Sequence, residues 1–83
     1  MKIRKSKISA YGEIVWEGEV AEDGSPHGFW NYYDVRGLLY LKAEYLRGKL
    51  NGSYKSLYSN GDIVELGKMN NDKPIGLWYE DGY

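Results

Sequence analysis

The stretch Gly28-Phe29-Trp30 returns as Gly52-Ser53-Tyr54 and again as Gly76-Leu77-Trp78, a glycine followed two positions later by a large aromatic every 24 residues. A second series, Gly12, Gly37 and Gly61, opens segments that match one another: Gly12-Glu-Ile-Val-Trp-Glu-Gly-Glu-Val reads almost as Gly61-Asp-Ile-Val-Glu-Leu-Gly-Lys-Met. Self-similarity at a short fixed period means one supersecondary unit stacked on itself. Such an array presents surfaces and seldom houses a catalytic centre.

Aligned on their glycines, these segments form columns. The second position holds Ile14, Leu39 and Ile63; the fourth Trp16, Leu41 and Glu65; the sixth Gly18, Ala43 and Gly67; the eighth Val20, Tyr45 and Met69. The columns between carry Val15, Tyr40 and Val64, then Glu17, Lys42 and Leu66, then Glu19, Glu44 and Lys68. Apolar or small residues on one set and largely charged residues on the other give a period of two, which predicts strands with one buried face. On this reading Ile14, Leu39 and Ile63 point inward. The small sixth column leaves a trough, which Trp30, Tyr54 and Trp78 fill from the intervening strands. Glycine inside a strand costs roughly 0.5–1 kcal/mol relative to alanine, so Gly18 and Gly67 imply close packing. Glu65 is expected at a thinner, solvated C-terminal end.

Turn chemistry closes the unit. Asp34-Val35-Arg36-Gly37 and Ser59-Asn60-Gly61 read as hairpin turns, the Asn-Gly pair because both residues tolerate positive φ. The other connections read Gly24 to Gly28, Gly48 to Gly52 and Asp72 to Gly76. Gly12 to Gly28 spans sixteen residues where Gly37 to Gly52 and Gly61 to Gly76 span fifteen, so the first of these carries one insertion. The predicted architecture is all-β: a single elongated, twisted antiparallel sheet of about three consecutive β-hairpin repeats. One domain covers 1–83, with a basic edge strand over 1–10 and repeats over roughly 11–36, 37–60 and 61–83.

A chain of 83 residues buries roughly 60–65% of its unfolded surface, so its packing must lean on large side chains. Nine Tyr, three Trp and one Phe supply them. The net charge of −1 argues against a general nucleic-acid binder. Charge is unevenly spread, with Lys2, Arg4, Lys5 and Lys7 at the start and six acids but no Lys or Arg over 13–34. Cysteine is absent and His27 is the one histidine, which excludes a Cys-His pair and a His-rich metal site by counting. Ser25, Ser53 and Ser59 fall at turn or strand-start positions without a nucleophile elbow. Glu19, Glu22 and Asp23 lack the spacing of a calcium loop and read as a solvated acidic loop. The chain is expected to be non-enzymatic and to need no cofactor. No stretch has signal-peptide or membrane-spanning character, which places the expected location in the cytoplasm.

Trp16-Glu-Gly-Glu-Val with His27-Gly28-Phe-Trp, echoed by Lys42-Ala-Glu-Tyr with Gly48-Lys-Leu-Asn-Gly52-Ser-Tyr and by Gly67-Lys-Met with Lys73-Pro-Ile-Gly76-Leu-Trp, resembles the MORN repeat over roughly residues 11–82. The aromatic two residues after the glycine and the Asn-Gly turn are most similar to the bacterial MORN-variant proteins grouped with antitoxins. The chain lacks the Gly-x-Gly that ends many MORN units. The resemblance implies an elongated sheet of hairpins used for protein contacts, a toxin or other effector among them, and in some members for lipid contacts.

Two surfaces follow. If the columns alternate, Val64, Tyr40 and Leu66 point outward, and Phe29, Tyr33, Leu57, Leu77 and Tyr79 lie opposite in pleat to the Trp30 column; together they form a candidate partner-binding face. Lys2, Arg4, Lys5 and Lys7 form the alternative, a basic strand for anionic lipid, against which stands their use as charges that discourage edge-to-edge aggregation. Leu77-Trp78-Tyr79 at the other end has no such guard. That C-terminal edge is expected to self-associate or to be covered by the partner.

Overall fold

A computed structural model describes residues 3–81 and arranges them as seven strands: β1 (Ile3–Ile8), β2 (Ile14–Val20), β3 (Pro26–Tyr33), β4 (Leu39–Leu46), β5 (Lys49–Leu57), β6 (Ile63–Asn70) and β7 (Lys73–Glu80). Each strand pairs antiparallel with the next in chain order, so the molecule is one open up-and-down sheet. It measures 37 × 31 × 14 Å and is one sheet deep. Only Val20, Trp30 and Ala43 are buried hydrophobics among the described residues.

The turns explain the meander. At three places the same five-residue loop recurs: the amide of Ser9, Asp34 or Tyr58 donates to the carbonyl four residues on, and the amide of Gly12, Gly37 or Gly61 donates back to the first residue. These are type I turns closed by a glycine bulge, and the glycines take φ of 83°, 81° and 92°. Asn60 does not share the positive φ, so the Asn-Gly pair is a bulged turn and not the two-residue turn that its sequence suggests. The second family of connections turns earlier than the spacing implied. Arg47-Gly48 and Asn71-Asp72 are two-residue turns with both φ positive, whereas Ala21 to Ser25 makes the bulged form, which accounts for the extra residue. Residues after Ser25, Gly48 and Asp72 thus already belong to strands.

Gly28, Gly52 and Gly76 sit inside β3, β5 and β7 with φ of 88°, 107° and 69°. Each accompanies a register shift against the preceding strand, between Gly18 and Val20, Ala43 and Tyr45, and Leu66 and Lys68. A positive φ at these bulges is what the 24-residue glycine period encodes.

The small-residue column behaves as expected. Gly18 pairs with Trp30, Trp30 with Ala43, Ala43 with Tyr54 and Tyr54 with Gly67. A Cβ on Gly18 would collide with the Trp30 indole, and one on Gly67 with that of Trp78. Trp16 leans on Trp30 at 5.2 Å between ring centroids, Tyr45 meets Trp30 edge-on at 6.2 Å, and Tyr54 meets Trp78 at 5.4 Å. Both inner indoles spend their N–H on backbone, Trp30 on the Glu19 carbonyl at 2.8 Å and Trp78 on that of Ile75 at 3.1 Å. The Tyr32 and Tyr45 hydroxyls lie 3.0 Å apart, and burial first, then this hydrogen bond, pushes the Tyr32 phenol above its ordinary value. We call this the tryptophan face. Glu65, in the column of Trp16, is half-buried there between Ser56 and Glu80.

The second column departs from expectation. Ile8 pairs with Ile14, Tyr33 with Leu39 and Leu57 with Ile63, each across a shift that leaves Val15, Tyr40 or Val64 as an extra residue. The bulge reverses the alternation, so Ile14, Leu39 and Ile63 come round to the side of Tyr33 and Leu57, away from the tryptophans.

Packing and backbone make separable demands on glycine here. Gly18→Ala should cost about 3 kcal/mol because the new methyl has no room, whereas Gly12→Ala, in open space at positive φ, should cost about 1 kcal/mol. Trp30→Ala should cost about 3–5 kcal/mol. Urea denaturation of the three variants measures this, and equal losses at Gly18 and Gly12 would sink the packing account.

Candidate interaction surface

Opposite the tryptophans lies the outer face. One row of register crosses it completely: Ser6, Glu17, Asn31, Lys42, Lys55, Leu66 and Tyr79 are successive cross-strand partners. Alternation from this row brings Phe29 and Tyr33 of β3, Leu57 of β5 and Leu77 of β7 to the same face. Leu77 is fully exposed, Phe29 is 45% and Tyr79 52% exposed, and Leu66 is exposed beside them. Tyr33 and Leu57 are half-buried. Tyr40 and Val64 are the bulge residues already described, Tyr40 exposed and Val64 half-buried.

The face divides into two apolar areas. Near the C-terminal edge Ile63, Leu66 and Tyr79 line one shallow depression with Gly61, Asp62 and Asp81. Near the N-terminal edge a cleft of about 270 Å³ lies between the first and third turns, lined by Tyr11, Ile14, Val15, Tyr33 and Val35 among others. Lys42 and Lys55 stand directly opposite each other between the two. Lys42 holds its ammonium 5.2 Å from the Phe29 ring centroid, a cation–π contact worth about 0.5–1 kcal/mol when exposed. Sequence reading did not assign these lysines to the face. The signal was present, since Ala43 facing Tyr54 forces Lys42 to face Lys55 one step on. Leu39 and Ile63 were missed for a different reason, the bulge.

Polar order concentrates at the N-terminal side. The Tyr33 hydroxyl donates to Glu17 Oε2 at 2.6 Å, and Arg4 reaches Glu17 at 3.3 Å and Glu19 at 3.9 Å. The Tyr33 hydrogen bond, against desolvation and helped by Arg4, lowers the Glu17 carboxyl below its usual range, and the same bond raises the Tyr33 phenol. Asn31, between Glu17 and Lys42, has a buried Oδ1 without a partner; His27 Nδ1 and Ser56 Oγ share that condition. Glu44 accepts the Ser53 amide at 3.0 Å, and its carboxylate occupies the space where a side chain at Gly52 would stand.

The basic strand is placed differently from a uniform patch. Arg4 faces outward and is engaged by the two glutamates, while Lys5 and Lys7 lie on the tryptophan face, paired with Gly18 and Trp16. Lys2 lies outside the described residues. No protein-family model, curated protein or solved structure matches the chain.

Glu17 supplies a pH test. Its folded pKa is depressed, so its contribution to stability is present above the unfolded carboxylate value and is lost as pH falls through the folded one. Carboxyl-carbon NMR titration of Tyr33→Phe should move the Glu17 pKa upward toward the ordinary range. An unchanged value would remove Tyr33 as the principal cause.

Proposed function

We propose that the chain is a non-enzymatic interaction module whose outer face binds and restrains a partner protein, in the manner of an antitoxin or inhibitor. The observation that carries this reading is a one-layer sheet with large apolar side chains standing in solvent on its outer side. Phe29, Leu66, Leu77 and Tyr79 lie there without a second layer among the described residues. Exposed apolar groups rimmed by charge are the composition of a protein contact, in which aromatic anchors each carry about 2 kcal/mol or more. The resemblance to MORN-variant antitoxins supports the same class of partner. Lys42 and Lys55 in the middle of the face would meet acceptors on that partner.

The alternative reading, a peripheral adaptor on anionic lipid, draws on Lys2, Arg4, Lys5 and Lys7. The engagement of Arg4 by Glu17 and Glu19 weighs against it, because a membrane surface would have to compete with two carboxylates already in place.

The test is affinity purification from the source organism followed by binding measurements on the captured protein. Phe29→Ala and Tyr79→Ala should each weaken binding about tenfold or more while leaving the thermal midpoint within a few degrees. Loss of the fold in both variants would mean that the outer face is a second structural surface. Salt-sensitive flotation with anionic vesicles, unaffected by these variants, would transfer the function to the basic strand.

A further inference from the structure

The two edges of the sheet are chemically complementary. Every residue of β1 is exposed, and of β7 only Trp78 is partly covered. Among the described residues, both edges leave a line of backbone donors and acceptors without a neighbouring strand. In the first repeat Trp16 and Tyr32 face each other on the tryptophan face; in the third, the corresponding partners are Glu65 and Glu80. Like charges directly opposite destabilise an antiparallel pair. Neither carboxylate has an ion-pair partner among the described residues. They line a groove of about 310 Å³ with Tyr54, Met69, Pro74 and Trp78, and no lysine or arginine is part of that lining.

The cations that match stand at the far edge of the same face. Lys7 pairs with Trp16, which begins the row that runs through Tyr32, Leu41, Ser56 and Glu65 to Glu80. Lys5 pairs with Gly18, in the row of Trp30, Ala43, Tyr54 and Gly67, on which Trp78 lies. Neither lysine has an ion-pair partner among the described residues. Because strands alternate in direction, β1 and β7 run the same way.

We propose that β7 takes β1 of a second copy of this chain, the two strands parallel, with Lys7 of the second copy beside Glu80 and its Lys5 over the Trp78 indole. A second copy displaced along the sheet keeps its tryptophan face on the same side and each lysine in its own row. Backbone pairing holds the strands, and the charges select which edge meets which. One of the two charges in the glutamate pair that is unfavourable within one chain is offset in the assembly. Two different edges meet, so the contact is heterologous and leaves an open edge at each end for further copies. This assembly does not involve the outer face and stands independently of the partner proposed for it.

Sedimentation velocity at low ionic strength tests it with three variants: Lys7→Glu, Glu80→Lys, and the chain carrying both. Wild-type protein should show concentration-dependent association beyond a dimer that falls as salt is raised. Each single reversal should weaken association about tenfold or more, and the double reversal should restore it. All the substituted positions are exposed at edges, so circular dichroism should be unchanged, and Glu80→Lys should not lower the thermal midpoint. Three results overturn the proposal: wild-type monomer at the highest soluble concentration, association of Lys7→Glu equal to wild type, or a double variant that stays as weak as its parents. An assembly that stops at two and ignores Lys7 would instead identify a two-fold contact between β7 strands.

Discussion

An indole laid flat on a glycine is the contact on which this sheet depends. Trp30 covers Gly18 and Trp78 covers Gly67, each at a distance that no side chain on the glycine would permit. Ala43 and Tyr54 complete the row between them. In a two-layer protein, tryptophan would find its partner surface across the core. Here there is no opposite layer among the described residues, so the covering surface must be the sheet's own backbone, and only a residue without a side chain exposes it. The alternation of small and large across the strands is therefore a substitute for a core.

That substitution sets the character of the rest. With three buried hydrophobics among the described residues, the chain draws its cohesion from six antiparallel ladders, each interrupted by a register shift, and from cross-strand aromatic pairs and tight turns. Bulges at Gly28, Gly52 and Gly76 increase the local twist, which brings aromatic rings from neighbouring strands toward one another on one side. The cost falls on the other side, where the same geometry leaves Phe29, Leu66 and Tyr79 in water.

Much of the fold was legible in the sequence, because period-two alternation and a 24-residue glycine period are both direct prints of backbone geometry. The strands, their order and the Trp30–Gly18 type of contact follow from them. What did not follow is the phase change at the head of β2, β4 and β6. A bulge adds one residue without requiring any particular side chain, so Val15, Tyr40 and Val64 read as ordinary alternating positions. The turns divide in the same way. Gly61 announces a positive φ, but whether Asn60 joins it depends on the twist and loop length of the hairpin, which the dipeptide does not encode. Asn71-Asp72 adopts two positive φ values without any glycine, which short polar side chains tolerate by local hydrogen bonding. On the outer face, Phe29 and Tyr79 were legible from pleat alone. Lys42 and Lys55 were legible one step removed, because Ala43 opposite Tyr54 on the tryptophan face sets the two lysines opposite each other on the outer one.

The two faces then differ in what their unmet requirements ask for. The tryptophan face closes on itself except at the third repeat, where Glu65 and Glu80 replace the positions held by Trp16 and Tyr32 in the first. The outer face has the converse form: apolar groups spread along its length, with lysines between. A partner that covered it would add the second layer that the sheet lacks. Binding of that kind stabilises the folded chain by mass action, in proportion to partner concentration over its dissociation constant. A one-layer sheet has little core stability of its own to mask that gain, so for this architecture occupancy of the face and persistence of the fold become linked quantities.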